Sequence, residues 1–138
     1  PNSGFSFYSA SCFDKIHLPI KDSIAQDFDQ YPALVPPMPW LDSIPPSPPV
    51  LKTAATASTA HLTWTESNPK KEPIRYVVYR FPNHEQPDLD RNDRIISIQQ
   101  ATEFIDRNAG KYRHATYVVT ALDRLWNESA PSNKVELK

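Results

Sequence analysis

From residue 50 onward, hydrophobic and polar positions alternate with a period of two. In Tyr117-Val-Val-Thr-Ala-Leu122, the side chains of Tyr117, Val119 and Ala121 project to one side and those of Val118, Thr120 and Leu122 to the other. That is the pattern of a strand rich in β-branched and aromatic residues. The run ends at Asp123, and Asn127-Glu-Ser129 with Pro131 behind it supplies turn chemistry. Ala60–Thr65 and Ile74–Phe81 have the same character, and a weaker run covers Val50–Thr56. Further strands are predicted over Ile95–Ile98, Thr102–Ile105, Arg113–Asp123 and Asn133–Leu137. Seven short strands in about 90 residues, with no helical period among them, predict an antiparallel β-sandwich closed around Trp64. Tyr76, Tyr117 and Val119 are its expected core partners.

Ahead of residue 50 the pattern changes. Gly4–Ser9 reads as a short strand. Leu18–Tyr31 reads as a helix, with Ile20, Ile24 and Phe28 on one stripe and Pro19 in the first turn. Pro32 ends it. A βα unit of this size cannot bury its own apolar stripe. It must lean on another surface, and self-association through residues 1–42 is the expected outcome if none is present. Pro36–Trp40 and Ile44–Pro49 are polyproline-like, either a ligand for a proline-recognising domain or a stiff connector. The connector reading is preferred. The chain therefore divides into residues 1–42, a proline-rich linker over 43–49, and a sandwich over 50–138.

Composition sharpens that division. Of 15 prolines, ten lie at or before Pro49, against two glycines in the whole chain. Up to Pro48 there are 2 lysines and 5 aspartates, whereas the remainder holds 13 basic and 11 acidic residues. Hydrophobic residues at 39% and aromatics at 11% are enough for a packed core, so wholesale disorder is excluded. A net charge of −1 gives no electrostatic case for nucleic acid or an anionic membrane. No apolar run approaches the roughly 18 residues of a membrane span. Cys12 is the single cysteine, so no internal disulfide can form. The first residue is Pro1 and no signal peptide is evident, which reads as a piece of something longer.

Candidate chemistry is sparse. Cys12 with His17 has the makings of a thiol dyad, but a lone cysteine is more often a small buried apolar residue. His17, His61, His84 and His114 share no metal-ligand spacing. Asp88-Leu-Asp-Arg-Asn-Asp93 places acids at alternating positions, as a Ca²⁺ loop would. Asp93 stands where such a loop needs glycine, however, and Gln99 where it needs a bidentate glutamate. Arg91 and Arg94 also neutralise the cluster, so a solvated loop is expected. No residue pattern calls for a cofactor. Paired catalytic carboxylates would have to sit about 5–10 Å apart in a cleft, which a sandwich does not offer. Trp126, in the loop after the sixth strand, could stack on a sugar ring or pack against a neighbouring domain. The packing reading is preferred, because Trp40 and the proline runs bring more apolar surface to the same junction.

Two resemblances add to this. Pro45-Pro-Ser-Pro-Pro-Val-Leu51, His61-Leu-Thr-Trp-Thr65, Tyr76-Val-Val-Tyr-Arg80 and Tyr117–Asp123 with Asn127-Glu-Ser129 resemble a fibronectin type III domain. The resemblance implies a fibronectin type III/immunoglobulin-like sandwich with Trp64 and Tyr76 as core residues. It departs at Ala115, which holds the position of the family's tyrosine corner; either Tyr112 substitutes for it or the corner is missing. Gly4-Phe-Ser-Phe-Tyr-Ser9, the helix, and Tyr31-Pro-Ala-Leu-Val-Pro-Pro-Met-Pro-Trp-Leu-Asp42 are similar to the end of bacterial glycoside hydrolase-like family 10 proteins. There a (β/α)8 barrel precedes a fibronectin type III-like domain, so residues 1–42 would be the barrel's last strand and helix. Most of that barrel, and its catalytic carboxylates, would lie outside this chain.

What the resemblance implies is a non-catalytic accessory domain that braces or spaces the barrel of a secreted, periplasmic or surface-attached glycosidase acting on polysaccharide. The barrel would be its partner in cis. A carbohydrate-binding module using Trp126 and a protein-interaction or adhesion domain are the alternatives.

Overall fold

The computed structural model describes residues 22, 26, 30–55, 58–65, 75–82, 85–112 and 114–137. The chain forms two compact units, Pro1–Pro32 and Ala33–Lys138. The strand expected over Gly4–Ser9 lies outside the described residues, as do Cys12, His17 and all of the helix expected over Leu18–Tyr31 except Asp22, Gln26, Gln30 and Tyr31.

Among the described residues seven strands build the second unit: β1 (Leu51–Ala55), β2 (Ala60–Trp64), β3 (Arg75–Phe81), β4 (Ile95–Gln99), β5 (Glu103–Asp106), β6 (Thr116–Leu122) and β7 (Val135–Glu136). They form two antiparallel sheets, ordered β1-β2-β5 and β4-β3-β6-β7. The expected mainly-β sandwich is thus present, with each predicted strand within a few residues of its place.

The core between the sheets follows from alternation. Ala60, Leu62 and Trp64 of β2 are buried from one side, Tyr76 and Val78 of β3 and Tyr117, Val119 and Ala121 of β6 from the other. Trp64 meets Tyr76 edge to face, with ring centroids 5.6 Å apart. That arrangement sets the positive ring edge of one against the negative face of the other.

β6 is buried along its entire length, on both faces. Its other side joins Val118 and Leu122 to Val77, Tyr79, Phe81 and Ile95 in a second cluster on the outer face of the four-stranded sheet. Strands buried on both faces read as continuous apolar runs rather than clean alternation, as Tyr76-Val-Val-Tyr79 does. A bulge between β3 and β4 assists: Val78 pairs with Ser97 but Tyr79 with Ile95. The extra residue resets the alternation, so Ile95 and Ile98 both pack outward while Ile96 packs inward.

One lid over this outer cluster is the loop 85–94, which seats Leu89 on it. Glu85 accepts hydrogen bonds from Arg91 (3.1 Å) and Arg94 (2.8 Å), and Asp93 pairs with Arg91 at 2.7 Å and Arg94 at 2.9 Å. The hydrogen bond from Arg91, with the charges of Arg94 and Arg91 beside it, holds the Asp93 carboxyl below its ordinary range against the opposing effect of burial. Two of the three acids read as metal candidates are thus engaged locally. Asp93 is clamped by two guanidinium groups, and Asp88 accepts the Asp90 N–H at 3.0 Å in a turn.

The strand after β6 is completed by hydroxyl groups. Ser129 and Ser132 each donate a backbone N–H to β6, to Ala121 and Val119 at 2.9 Å, and each accepts one back on Oγ at 3.0 Å. Asn133 then brackets the start of β1, accepting the Leu51 N–H and donating to its carbonyl, both at 2.9 Å. Asn127-Glu-Ser129 therefore does more than turn the chain: the serines extend the pairing of a seventh strand that is regular over two residues only.

Candidate functional site

Beside the outer cluster, the loop 123–127 meets the proline-rich segment 33–49. Asp123 organises the loop. Its Oδ1 accepts the N–H groups of Leu125 (2.8 Å) and Asn127 (2.9 Å), and its Oδ2 accepts the Asn127 amide at 2.9 Å. This forces Trp126 into the left-handed region at φ 65°, a conformation costing a bulky residue about 1–3 kcal/mol. The ring is thereby directed onto the sheet. Trp126 is half-buried against the outer cluster, and the Arg75 guanidinium lies 4.8 Å from its ring centroid.

The segment 33–49 is a strap rather than a free linker. Leu34 packs on the same cluster. The Met38 N–H donates to the Leu125 carbonyl at 3.2 Å, and the Asn127 amide donates to the Asp42 carbonyl at 3.0 Å. Leu41 and Asp42 close a turn on the Met38 carbonyl, and Asp42 accepts the Ile44 N–H at 2.9 Å. Residues 33–42, which the sequence assigns to the front piece, thus make these contacts within the sandwich unit. Proline favours this: fixed φ lowers the entropy lost when an extended segment is held in place.

The two tryptophans singled out from the sequence are placed differently. Trp126 is turned onto its own sheet, whereas Trp40 is 76% exposed. Trp64 and Tyr76, Tyr117 and Val119 lie in the inter-sheet core.

Substituting Asn127 by alanine removes the bonds to Asp42 and Asp123. A cost of about 1–3 kcal/mol is expected, as for buried polar partners left unpaired. The diagnostic measurement is hydrogen exchange at the Met38 amide, which should accelerate as the strap loosens; unchanged exchange would mean the strap is held by other contacts.

A second polar constellation links the sheets, and sequence reasoning missed it. Arg80 at the end of β3 donates to Asp106 Oδ2 at 2.7 Å, and the Tyr117 hydroxyl donates to the same oxygen at 2.7 Å. Asp106 Oδ1 accepts the Asn108 N–H at 2.8 Å. Tyr112 lies flat against Arg80, 3.7 Å from ring centroid to guanidinium carbon. Burial disfavours the Asp106 charge, but the Tyr117 hydroxyl, Arg80 and the Asn108 N–H outweigh it and hold the carboxyl below its ordinary range. Burial first, then the Asp106 acceptor, pushes the Tyr117 hydroxyl well up. With Ala115 fully buried at the expected corner position, Tyr112 and Tyr117 attach this corner through Arg80 and Asp106 instead.

A third cluster lies on the outer face, where Glu128 Oε1 accepts hydroxyl hydrogens from Tyr79 (2.8 Å) and Thr120 (2.6 Å). Burial and the neighbouring carboxylate raise the Tyr79 hydroxyl far above its usual range. On the three-stranded sheet His61 stands 3.4 Å from Glu103. None of these groupings sets two free carboxylates across a cleft. Among the described residues no three His, Cys, Asp or Glu side chains converge as a metal site, and no helix is long and apolar enough to cross a membrane.

Comparison with known proteins gives the same architecture and a wider context. No protein-family model matches the chain. Over 135 residues it is 36% identical to glycosyl hydrolase YngK of Bacillus subtilis (strain 168), covering 95% of this chain and 26% of that protein. The chain therefore spans about a quarter of the curated relative it matches. Among solved structures, the fibronectin type III domain of human fibronectin type III domain containing protein 3 superposes with a TM-score of 0.54 at 19% identity, over 69% of this chain and 86% of that one. The Clostridium perfringens spore cortex lytic enzyme SleM gives 0.52 at 17% identity, over 69% of this chain and 29% of that one. The sandwich has the fibronectin type III fold.

Proposed function

We propose that this chain is a non-catalytic accessory part of a secreted bacterial glycoside hydrolase acting on polysaccharide, in which the sandwich braces or spaces a catalytic body in cis. The observation that carries this reading is the match, along almost the whole chain, to a quarter of a glycosyl hydrolase. The chemistry of the described acids supports it. Glu85, Asp93 and Asp106 are engaged by arginine, Asp123 by its own loop and Glu128 by hydroxyls. Each is committed to holding the fold, and none is poised as a general acid or nucleophile.

The test compares the full-length polypeptide with a version lacking residues 43–138. Hydrolysis of polysaccharide should persist while the temperature of thermal inactivation falls, and the isolated 138-residue chain should release no reducing sugar. Release of sugar by the isolated chain would overturn the assignment.

A carbohydrate-binding module is the second reading, and of Trp126 and Trp40 the exposed Trp40 suits it better. Trp126 is half-buried and already has Arg75 against its ring, whereas Trp40 is open. Under the accessory-domain reading, titrating soluble oligosaccharides into the chain gives no saturable change in tryptophan fluorescence. A saturable shift abolished by Trp40→Ala would favour carbohydrate binding.

A further inference from the structure

The strap has two sets of residues with different fates. One set is held by the sandwich through Leu34, the Met38 N–H and the Asp42 carbonyl. Val35, Trp40, Leu41 and Ile44 of the same segment are exposed to solvent. These are four of the seven large apolar residues exposed among the described residues, and they fall within ten positions. Singly exposed apolar side chains need no explanation, but a concentration on one rigid segment marks an interaction surface. The turn at Met38–Asp42 and the flanking prolines hold it in one shape, so little entropy is lost when a partner covers it.

We infer that this ledge, Val35, Trp40, Leu41 and Ile44, is the docking face for the larger body of the parent polypeptide, covered in cis. The inference rests on the accessory-domain reading and names the surface through which it would act.

Three observations select that occupant. Between Pro32 and Val50 the only charged residue is Asp42, whose carboxylate is turned to the Ile44 N–H. The ledge therefore carries one charge, already engaged by its own backbone, and suits an apolar protein face rather than a highly charged partner. A sugar platform pairs an aromatic face with polar groups that grip hydroxyls, whereas Trp40 is flanked by Pro39 and Leu41. The area decides between a tethered body and a free second copy. Four such side chains offer on the order of 500 Å², short of the roughly 800 Å² per partner of a stable free complex. Tethering removes that shortfall, because a covalently joined body is present at an effective concentration on the order of millimolar. The ledge lies in the first dozen residues of the sandwich unit, where the preceding polypeptide joins it, and about three quarters of the matched relative lies outside the matched segment.

Hydroxyl-radical footprinting read by mass spectrometry tests this. Oxidation of Trp40 and Leu41 should be about five-fold slower in the full-length polypeptide than in the 138-residue chain, as for side chains passing into an interface core. Equal rates overturn the inference. So does protection in the 138-residue chain that grows with its concentration, which assigns the ledge to a second copy. Protection produced in that chain by added cellohexaose or chitohexaose assigns it to a glycan and also overturns it. The variant Trp40→Ser/Leu41→Ser/Ile44→Ser should leave the melting of the 138-residue chain unchanged, since all three are exposed, while the full-length polypeptide expands in small-angle scattering. An unexpanded full-length variant counts against docking. Footprint protection in a polypeptide whose thermal inactivation is indifferent to loss of the sandwich keeps the docking face and discards the bracing role.

Discussion

Replacing Trp64 by alanine is expected to destabilise the sandwich by about 3–5 kcal/mol, the usual cost of removing a buried tryptophan. Trp64 is 6% exposed and sits at the end of β2, against Tyr76 of the opposite sheet. The loss has two parts: the transfer energy of the indole, and a cavity that Leu51, Tyr76 and Val78 cannot fill because their backbones are fixed by pairing to β2, β4 and β6. For a unit of this size the melting temperature should fall by on the order of 20 °C. A domain with about 5–15 kcal/mol of total stability would be near its limit. Trp64→Phe should lose much less, since the indole N–H finds no acceptor among the described residues and a phenyl ring keeps most of the contact. Thermal denaturation followed by circular dichroism measures both. An unchanged melting temperature in Trp64→Ala would mean that the two sheets do not close on this residue.

Asp106→Ala is the second large effect. Asp106 is 3% exposed, and its removal leaves the Arg80 guanidinium and the Tyr117 hydroxyl without their acceptor. Breaking a buried pair in this way typically costs about 3–5 kcal/mol, mostly the penalty of the charge left behind. The double variant Arg80→Met/Asp106→Leu should recover a good part of the loss, because no buried charge then lacks a partner. Urea denaturation of Arg80→Met, Asp106→Leu and the double variant decides this; additive single losses in the double variant would show that Arg80 and Asp106 act independently.

The same pair sets a pH dependence. The Asp106 carboxyl is held lower in the folded chain than in the unfolded one, where a free aspartate titrates at about 3.9. The unfolded state therefore binds the proton first. The stabilisation is fully present above about pH 5 and is lost progressively as the pH falls below the unfolded value toward the lower folded one. Asp93 shifts in the same direction, but its ion pairs are partly exposed and screened, so its share is small. Urea midpoints measured from pH 7 down to pH 2.5 should fall steeply in the native chain and more shallowly in Asp106→Ala.

What could be read from residues alone was whatever a local period encodes. Alternation in Ala60–Trp64 and Thr116–Leu122 marked the strands and their inner faces, because neighbouring side chains on a strand must point opposite ways. The strand count and positions along the chain, and with them the sandwich class, followed without any tertiary information, whereas the order of strands in each sheet did not. The turn residues after Leu122 were legible for the same reason, as Asp and Asn side chains bond their own neighbouring backbone.

The rest depended on which distant surfaces meet. That β3 and β6 are covered on both faces was hinted by unbroken apolar runs, but no local rule says that Leu34, Leu89 and Trp126 are what covers them. Proline-rich sequence has no side-chain period, so 33–49 gives no sign of being a strap until Met38 and Asp42 meet Leu125 and Asn127. Trp126 carries the same composition signal whether it faces solvent or the sheet. Its direction was decided by one backbone angle, imposed by the Asp123 carboxylate. Arg80 and Asp106 are 26 residues apart on strands of different sheets. An ion pair of that kind exists only once the sheets are packed, because an isolated strand does not determine what stands across the core.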